Sequence, residues 1–531
     1  MQDPDGRAHP LGKGDSWLFT NEEWDDFSLS LGFRIRNGET LGEGNSGIGF
    51  RMPAGVEGRP SKYGFEMQIN RDDTTYPTGS IYNHVPVDTL YHNSGWNQVN
   101  ITCVGEHIVV YLNRESVIDA DLPGSRQGRI GFQVHGGLDF QNEVVEFKHI
   151  HVKDLKMQYQ AEPAPFDFSI SPLSDLPAEG CAVTDINNDG QLDITSGPFW
   201  YEAPNWVPHR YRNVAQLGAT IDSYNEIPMD VNQDGWMDII SGGWYASKIQ
   251  WFENPGTFKE ESIWQAHTIA DSLLRVETIT AVDLSGDGYL DILPSRLDKN
   301  APLGYYAYVG LSQSETGFAY RQIDTAFRGF GNGYGDVDRD GRIDLLTPTG
   351  WYKAPQDAAQ GEWLFHPYPA LPTTNVPLQV EDFNNDGRAD ILYGSAHGFG
   401  LGWMQQTDSG WQLHSIDDTI SQLQSAKLAD MDGDGTKDIV TGKRYLAGNG
   451  FDPGFAEPLA LFWYQVEKGT KPVFSKHIIT YDQPIGTGLN LRMADIDQDG
   501  DMDILAAGKT GLYLLKSNRI DASAIINWTI Y

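Results

Sequence analysis

Residues 185–193 read DINNDGQLD, and the phrase returns as DVNQDGWMD (230–238), DLSGDGYLD (283–291), DVDRDGRID (336–344), DFNNDGRAD (382–390), DMDGDGTKD (430–438) and DIDQDGDMD (495–503). The copies start 45 to 65 residues apart, and each is flanked by short apolar, strand-like segments. A repeat near 50 residues with strands on both sides predicts the blades of a β-propeller. Within the phrase, positions 1, 3, 5 and 9 offer side-chain oxygens, position 7 a backbone carbonyl, and Gly at position 6 the sharp turn of a calcium loop. Position 12 of the first copy is Ser196, not Glu, and a strand pattern follows where an EF-hand would start a helix. These read as calcium loops between strands. Turn-making alone would explain one Asp/Asn/Gly cluster, but not seven with one spacing.

The candidate metal ligands are Asp185, Asn187, Asp189, Gln191 and Asp193 in the first copy, and Asp230, Asn232, Asp234, Trp236 and Asp238 in the second. The third offers Asp283, Ser285, Asp287, Tyr289 and Asp291, and the fourth Asp336, Asp338, Asp340, Arg342 and Asp344. In the fifth they are Asp382, Asn384, Asp386, Arg388 and Asp390, in the sixth Asp430, Asp432, Asp434, Thr436 and Asp438, and in the seventh Asp495, Asp497, Asp499, Asp501 and Asp503. The side-chain positions hold 24 aspartates, and carboxylates so crowded repel one another unless cations lie among them. Up to seven structural Ca²⁺ ions are expected. The phrases, with surrounding wording such as SGPFWYEAPNW (196–206), resemble FG-GAP/VCBS repeats, and the resemblance implies a seven-bladed propeller.

No calcium phrase precedes Asp185. Alternating segments FSLSLGFRI, SGIGFRM, YGFEMQI, NQVNITCVG, HIVVYLN, RIGFQVH and VVEFKHIHV, separated by turn residues, predict an all-β sandwich or jelly roll. The expected domains are a concanavalin-like sandwich over 1–159, a Pro-containing linker over 160–168 and the propeller over 169–531. The phrases GNSGIGFR (44–51), YGFEMQIN (63–70), TGSIYNHV (78–85) and GRIGFQVHGG (128–137) resemble the 3-keto-disaccharide hydrolase domain family. That resemblance implies a pocket of Asn45, Arg51, Glu66, Gln68, Tyr82 and His135. In it Arg51 would hold a carbonyl or enediolate oxygen, and Glu66 or His135 would move the proton. Glu66 and Gln68, two apart on one strand, share a face.

The repeat also predicts a second site. In each blade the innermost strand runs into the loop and the next strand leaves antiparallel. Residues six before the first Asp and six past the last therefore meet at one end of the axis. Before the loops stand Glu179, Tyr224, Glu277, Phe330, Val376, Gln424 and Leu489, with Glu226 and Arg492 nearby; beyond the second strand come Trp200, Tyr245, Arg296, Trp351, His397, Lys443, Arg444, Tyr445 and Lys509. Aromatic faces and charged forks of this kind suit a sugar. Glu277 or His397 could serve as base, Tyr445 or Lys443 as acid, and Glu226, Arg296, Gln424, Lys443, Arg444 and Arg492 could bind substrate. The bland alternative for Trp200, Tyr245 and Trp351 is packing between blades.

The net charge is −35 in 531 residues. Such acidity argues against nucleic acid as a partner. No run of 18 apolar residues exists, so no membrane-spanning helix is expected. Two cysteines, Cys103 and Cys181, are too few for a disulfide scaffold and read as separate buried thiols. There is no P-loop, G-x-S-x-G elbow or H-E-x-x-H. The reading is an exported, all-β, carbohydrate-active protein whose signal peptide is not in this chain. It would cleave or eliminate a glycoside, including 3-keto glycosides, by acid/base chemistry. The alternative is a non-catalytic glycan-binding or scaffold protein on a calcium-stabilised propeller.

Overall fold

The computed structural model describes residues 16–519 apart from 57–58, 89–91, 136–141, 157, 163, 218–219, 258–261, 299–300, 330 and 372–377. Phe330 and Val376 lie outside the described residues. Strand dominates; the described exceptions are the short helix Pro60–Tyr63 and a 3-10 turn at Ala447–Gly450. No described helix is long and apolar enough to cross a membrane. The chain divides into an N-terminal unit, residues 1–160 with Gly448–Phe451 and Phe455–Pro458, and a C-terminal unit holding the rest.

The N-terminal unit is a two-sheet sandwich. One sheet orders Ser16–Phe19, Arg129–Val134, Ser46–Met52 and Phe65–Ile69; the other orders Glu143–Asp154, Phe27–Asn37, Asn97–Val104, His107–Leu112 and Glu115–Asp121, with Thr40–Leu41 paired to Phe27–Asn37. Period-two alternation along FSLSLGFRI buries Phe27, Leu29, Leu31, Phe33 and Ile35 against Ile48, Phe50, Phe65, Met67 and Ile69 of the facing sheet. Cys103 belongs to this core, while Cys181 is buried in the other unit; both are free thiols.

The described strands of the C-terminal unit make seven four-stranded antiparallel blades: five are separate sheets, the fourth and fifth are joined into one eight-stranded sheet by a parallel bridge from Tyr334 to Gln379, and Gln216–Leu217 pairs with Thr220–Ile221 as a separate two-stranded ribbon. In blade 1 the strands are Cys181–Thr184, Asp193–Ser196, Phe199–Glu202 and Val207–Arg210, and blades 2 to 6 repeat the pattern. Blade 7 takes its inner three strands, Arg492–Ala494, Asp503–Gly508 and Gly511–Ser517, from the chain's end. Its outer strand, Phe168–Ser174, comes from the unit's beginning. This exchange joins the first and last parts of the unit in one sheet, so no blade is left with an open seam.

Each Asp-rich phrase joins the first and second strands of its blade. Its first carboxylate accepts the N–H groups that curl the loop, as Asp185 does from Asp189 and Gly190. The sixth-position glycines have φ from 85° to 95°, a left-handed conformation glycine adopts without strain. The ninth aspartate turns inward instead of toward the loop. In all seven blades it is at most 1% exposed. One oxygen accepts the N–H of the loop's second residue, and the other accepts an N–H at the end of the third strand. For Asp344 these are Val337 at 2.9 Å and Ala354 at 2.8 Å; Asp193, Asp238, Asp291, Asp390, Asp438 and Asp503 repeat the pattern. The ninth side chain is thus a hydrogen-bonding staple between loop and third strand. Asp344→Ala should lower the unfolding free energy by about 3–5 kcal/mol, because two charge-assisted bonds are lost and two buried amides are orphaned. Asp344→Asn, which keeps one acceptor, should cost roughly half. Urea unfolding reads both, and an unchanged midpoint for Asp344→Ala would contradict the staple.

Five blades carry a further signature. Trp200, Trp251, Trp351, Trp403 and Trp463 on the third strands stack on His209, His267, His366, His414 and His477, their register partners on the fourth, with ring centroids 4.0 to 4.6 Å apart. Trp200 and Trp351 are therefore blade packing, not sugar platforms at the mouth.

Candidate functional site

The first candidate lies on the four-stranded sheet of the N-terminal unit. Phe65, Met67 and Ile69 face the core, so alternation turns Glu66 and Gln68 to the opposite face. Both are 4% exposed. Across the sheet, Gly47 pairs with Gln68. A Cβ there would stand 2.6 Å from the Glu66 carboxylate; the missing side chain is the seat of that carboxylate. Gln68 Nε2 is 3.5 Å from Asn45 Oδ1. Ser46 donates from its hydroxyl to the Gln133 carbonyl at 2.7 Å, and Gln133 Oε1 is buried without a hydrogen-bond partner among the described residues. Tyr82 enters through its main chain, donating its N–H to the Glu66 carbonyl at 2.8 Å, while its ring packs on Tyr76. His135 is half-buried just past the end of Arg129–Val134.

Glu143, which sequence reasoning missed, is linked to this group through Asn45. Its Oε2 accepts the Asn45 N–H at 2.9 Å, and its buried Oε1 has no partner among the described residues. Burial pushes its carboxyl up to about 7, the Asn45 amide offsetting only part of the shift. A carboxyl that holds its proton near neutrality is suited to general acid/base work. Nothing in the local sequence EVVEF marks it; alternation cannot tell an acid at a strand's start from ordinary surface.

Arg51 is not in this group. Its backbone is left-handed, φ 53°, at the register shift between Gly49 and Met52. That bulge turns the side chain away from Glu66. The fully buried guanidinium instead donates to the carbonyls of Asp25 at 3.0 and 2.7 Å and of Gly105 at 2.6 Å. It also meets Asp26 at 3.3 Å.

The second candidate is where the inner ends of the blades converge. Arg444 grips Glu179 with two nitrogens, reaches Glu277 Oε1 at 3.1 Å and bonds Gln424. Lys509 Nζ is 4.0 Å from Glu179. Burial alone would raise the Glu179 carboxyl, but Arg444 and Lys509 outweigh it and hold it below the ordinary value. Burial raises the Glu277 carboxyl against the pull of Arg444 and His397. His397 Nδ1 lies 2.7 Å from Asp452, and Lys443 donates to the Gly454 carbonyl at 2.6 Å. Tyr445 is half-buried. The offset of six residues thus brings Glu179, Glu277, Gln424 and Arg444 together, but as a mutually satisfied ion-pair cluster. Arg444 bonds both acids and Gln424 Oε1, and Gln424 Nε2 turns to the Ala396 carbonyl at 3.4 Å.

Three other expected mouth residues lie elsewhere. Glu226 faces between blades, bonded to Arg212, to the Tyr211 hydroxyl at 2.7 Å and to Ser223 Oγ at 3.0 Å. Arg492 donates to the carbonyls of Cys181 at 3.0 Å and Glu226 at 2.8 Å. Arg296 donates to the Pro302 carbonyl at 3.0 Å and lines a cavity of about 30 Å³, room for a single water.

The Asp-rich loops form a third group. In Asp336–Asp338–Asp340, Asp430–Asp432–Asp434 and Asp495–Asp497–Asp499, one carboxylate oxygen from each residue lies within 4.8 Å of the others. Oxygen-only donors at this density are compatible with calcium binding. In the fourth loop Lys353 sits on Asp338 and Asp340, and in the seventh Lys516 sits on Asp497 at 3.0 Å. These ammonium groups partly neutralise the same carboxylates.

Residues 2–153 match the family described as the 3-keto-alpha-glucoside-1,2-lyase-like domain, and residues 230–293 and 382–441 match the FG-GAP-like repeat. No curated protein matches the chain. Among solved structures, a putative glycosyl hydrolase from Parabacteroides distasonis ATCC 8503 is 23% identical, covering 29% of this chain and 93% of its own, with a TM-score of 0.24. Virginiamycin B lyase from Staphylococcus aureus is 13% identical over 66% of this chain and 99% of its own, TM-score 0.40. The NanB sialidase from Streptococcus pneumoniae is 12% identical over 97% and 98%, TM-score 0.29.

Proposed function

We propose that this protein, which joins an N-terminal 3-keto-disaccharide hydrolase-like domain to FG-GAP-like repeats, is an exported carbohydrate-active enzyme that cleaves 3-keto glycosides by acid/base elimination in its N-terminal unit. The observation that carries this reading is Glu143: a buried carboxyl with one oxygen that has no partner among the described residues, tied through Asn45 to the face that holds Gln68 and Glu66. A 3-keto group acidifies the neighbouring C2 proton. Glu66, as carboxylate, takes that proton; the electrons form the C1–C2 double bond as the C1–O bond breaks; Glu143 gives its proton to the departing oxygen. Gln68 and Asn45 hold the sugar hydroxyls. The test is incubation of the purified protein with glycosides and their 3-keto derivatives, with products read by mass spectrometry. Elimination yields a glycosyl product lighter by one water than hydrolysis would. Saturable binding with no turnover of any sugar would overturn the enzyme reading in favour of a glycan-binding module.

Up to seven calcium ions would support the propeller, held by the first, third and fifth side chains of each loop and the seventh carbonyl. Their contribution is charge neutralisation and loop rigidity. Chelation with EDTA should lower the melting temperature by several degrees, since a site held at 100 times its Kd contributes about 2.7 kcal/mol. An unchanged melt after prolonged dialysis against chelator would remove calcium from the account.

A further inference from the structure

The face of the six-stranded sheet turned away from the core is covered in one part by the segment Phe455–Pro458. There Thr102 donates to the Ala456 carbonyl at 2.8 Å, and Tyr111 packs edge-on against Phe455. Further along the same unit it opens into a groove of about 560 Å³. Trp96 lies in it, with the Lys148 ammonium 4.0 Å from the centre of its ring and the Arg34 guanidinium at 4.9 Å. Arg34 is committed to Glu146 by bonds of 2.9 and 2.6 Å. Among the described residues neither Lys148 nor Arg114 has a carboxylate partner, and the Arg114 guanidinium stacks 3.9 Å over Phe451. His149 and His151 are exposed on the same wall. The strand shifts register between Lys148 and His151, and His149 is left-handed at φ 50°; a bulge of this kind re-aims side chains. Among the described residues that line the groove there is no Asp or Glu, in a chain of net charge −35.

We infer that this groove is a binding site for a uronate-bearing oligosaccharide, separate from the sheet that carries Glu66. An indole face takes a sugar ring, and a guanidinium edge takes a planar carboxylate bidentately. Lys148 adds a second cation beside the ring, while the amides of Asn93 and Gln98 line the same groove as hydroxyl partners. Cations gathered in one concavity of a strongly acidic surface focus anions there.

Isothermal titration of the full chain with oligogalacturonate, a neutral galacto-oligosaccharide and a sulfated galactan oligomer tests the assignment. Oligogalacturonate should bind, the neutral sugar at least roughly tenfold more weakly, and added salt should weaken the former. Trp96→Ala should raise Kd roughly tenfold, as should the double variant Arg114→Gln/Lys148→Gln. Glu66→Gln should leave this binding unchanged, so loss of turnover and loss of this site are read separately. Equal affinity for the neutral sugar, binding of the sulfated oligomer alone, or unchanged Kd in the double variant would overturn the proposal. The double variant alters exposed residues, so it remains a test even where Trp96→Ala melts early.

Discussion

Glu66→Gln and Glu143→Gln should each lower turnover of a 3-keto glycoside by roughly 10²–10⁴-fold, the range general acid/base groups contribute. A pH signature and a leaving-group signature should accompany the loss. Glu143 must hold its proton to serve the leaving oxygen, and burial places its carboxyl at about 7. Turnover by the unmodified protein should therefore fall as pH rises through about 7. A leaving group that needs no proton, such as a nitrophenolate, should rescue Glu143→Gln but not Glu66→Gln, because base removal of the C2 proton is still required. Glu277→Gln is the control for the other unit. Turnover lost in that variant alone would move the chemistry to the cluster around Arg444. Kinetics at several pH values, with melting curves to confirm folding, separates these outcomes.

The loops show what a sequence can convey. Chemistry that lies within nine residues is legible, because oxygen spacing and a left-handed glycine are local properties. So is the seven-blade count, since each blade repeats one phrase. The ninth aspartate marks the limit. Its type and position were visible, but its partners, such as Ala354 for Asp344, sit on a strand whose approach only the folded blade defines. The same holds for the five Trp–His stacks, each of which depends on cross-strand register. Arg51 was misplaced because a bulge reverses alternation without any break in the apolar pattern of SGIGFRM. Two sandwich strands, Ser16–Phe19 and Glu115–Asp121, were not expected. Both are edge strands, and ESVIDAD carries the charges with which edges avoid further pairing, so it reads as a loop.

The Arg444 cluster gives an expected effect on stability that reaches across several blades. Arg444→Met should destabilise the C-terminal unit by about 3–5 kcal/mol, because it leaves buried carboxylates without their cation. The cluster draws on distant parts of the chain: Glu179 precedes blade 1, Glu277 lies on the inner strand of blade 3, and Gln424 and Arg444 belong to blade 6. Loss of the arginine therefore loosens several blades at once. The pH dependence follows from the signs. Glu179 is held below its ordinary value, so its stabilisation is present above the unfolded glutamate pKa and fades as pH falls toward the lowered one. Glu277 is raised, so its ionisation costs stability as pH climbs above the unfolded value. In Arg444→Met both acids are freed to protonate, and protonation relieves the buried charge. The stability gap between the unmodified protein and the variant should hence be widest near neutrality and narrow toward pH 4. Adding Glu179→Gln to Arg444→Met should recover part of the loss at neutral pH, as removal of a stranded charge demands. Urea unfolding across pH measures all three. A gap that is constant with pH, or a double variant no better than the single, would mean that Arg444 stabilises the propeller by packing and not by neutralising the acids it touches.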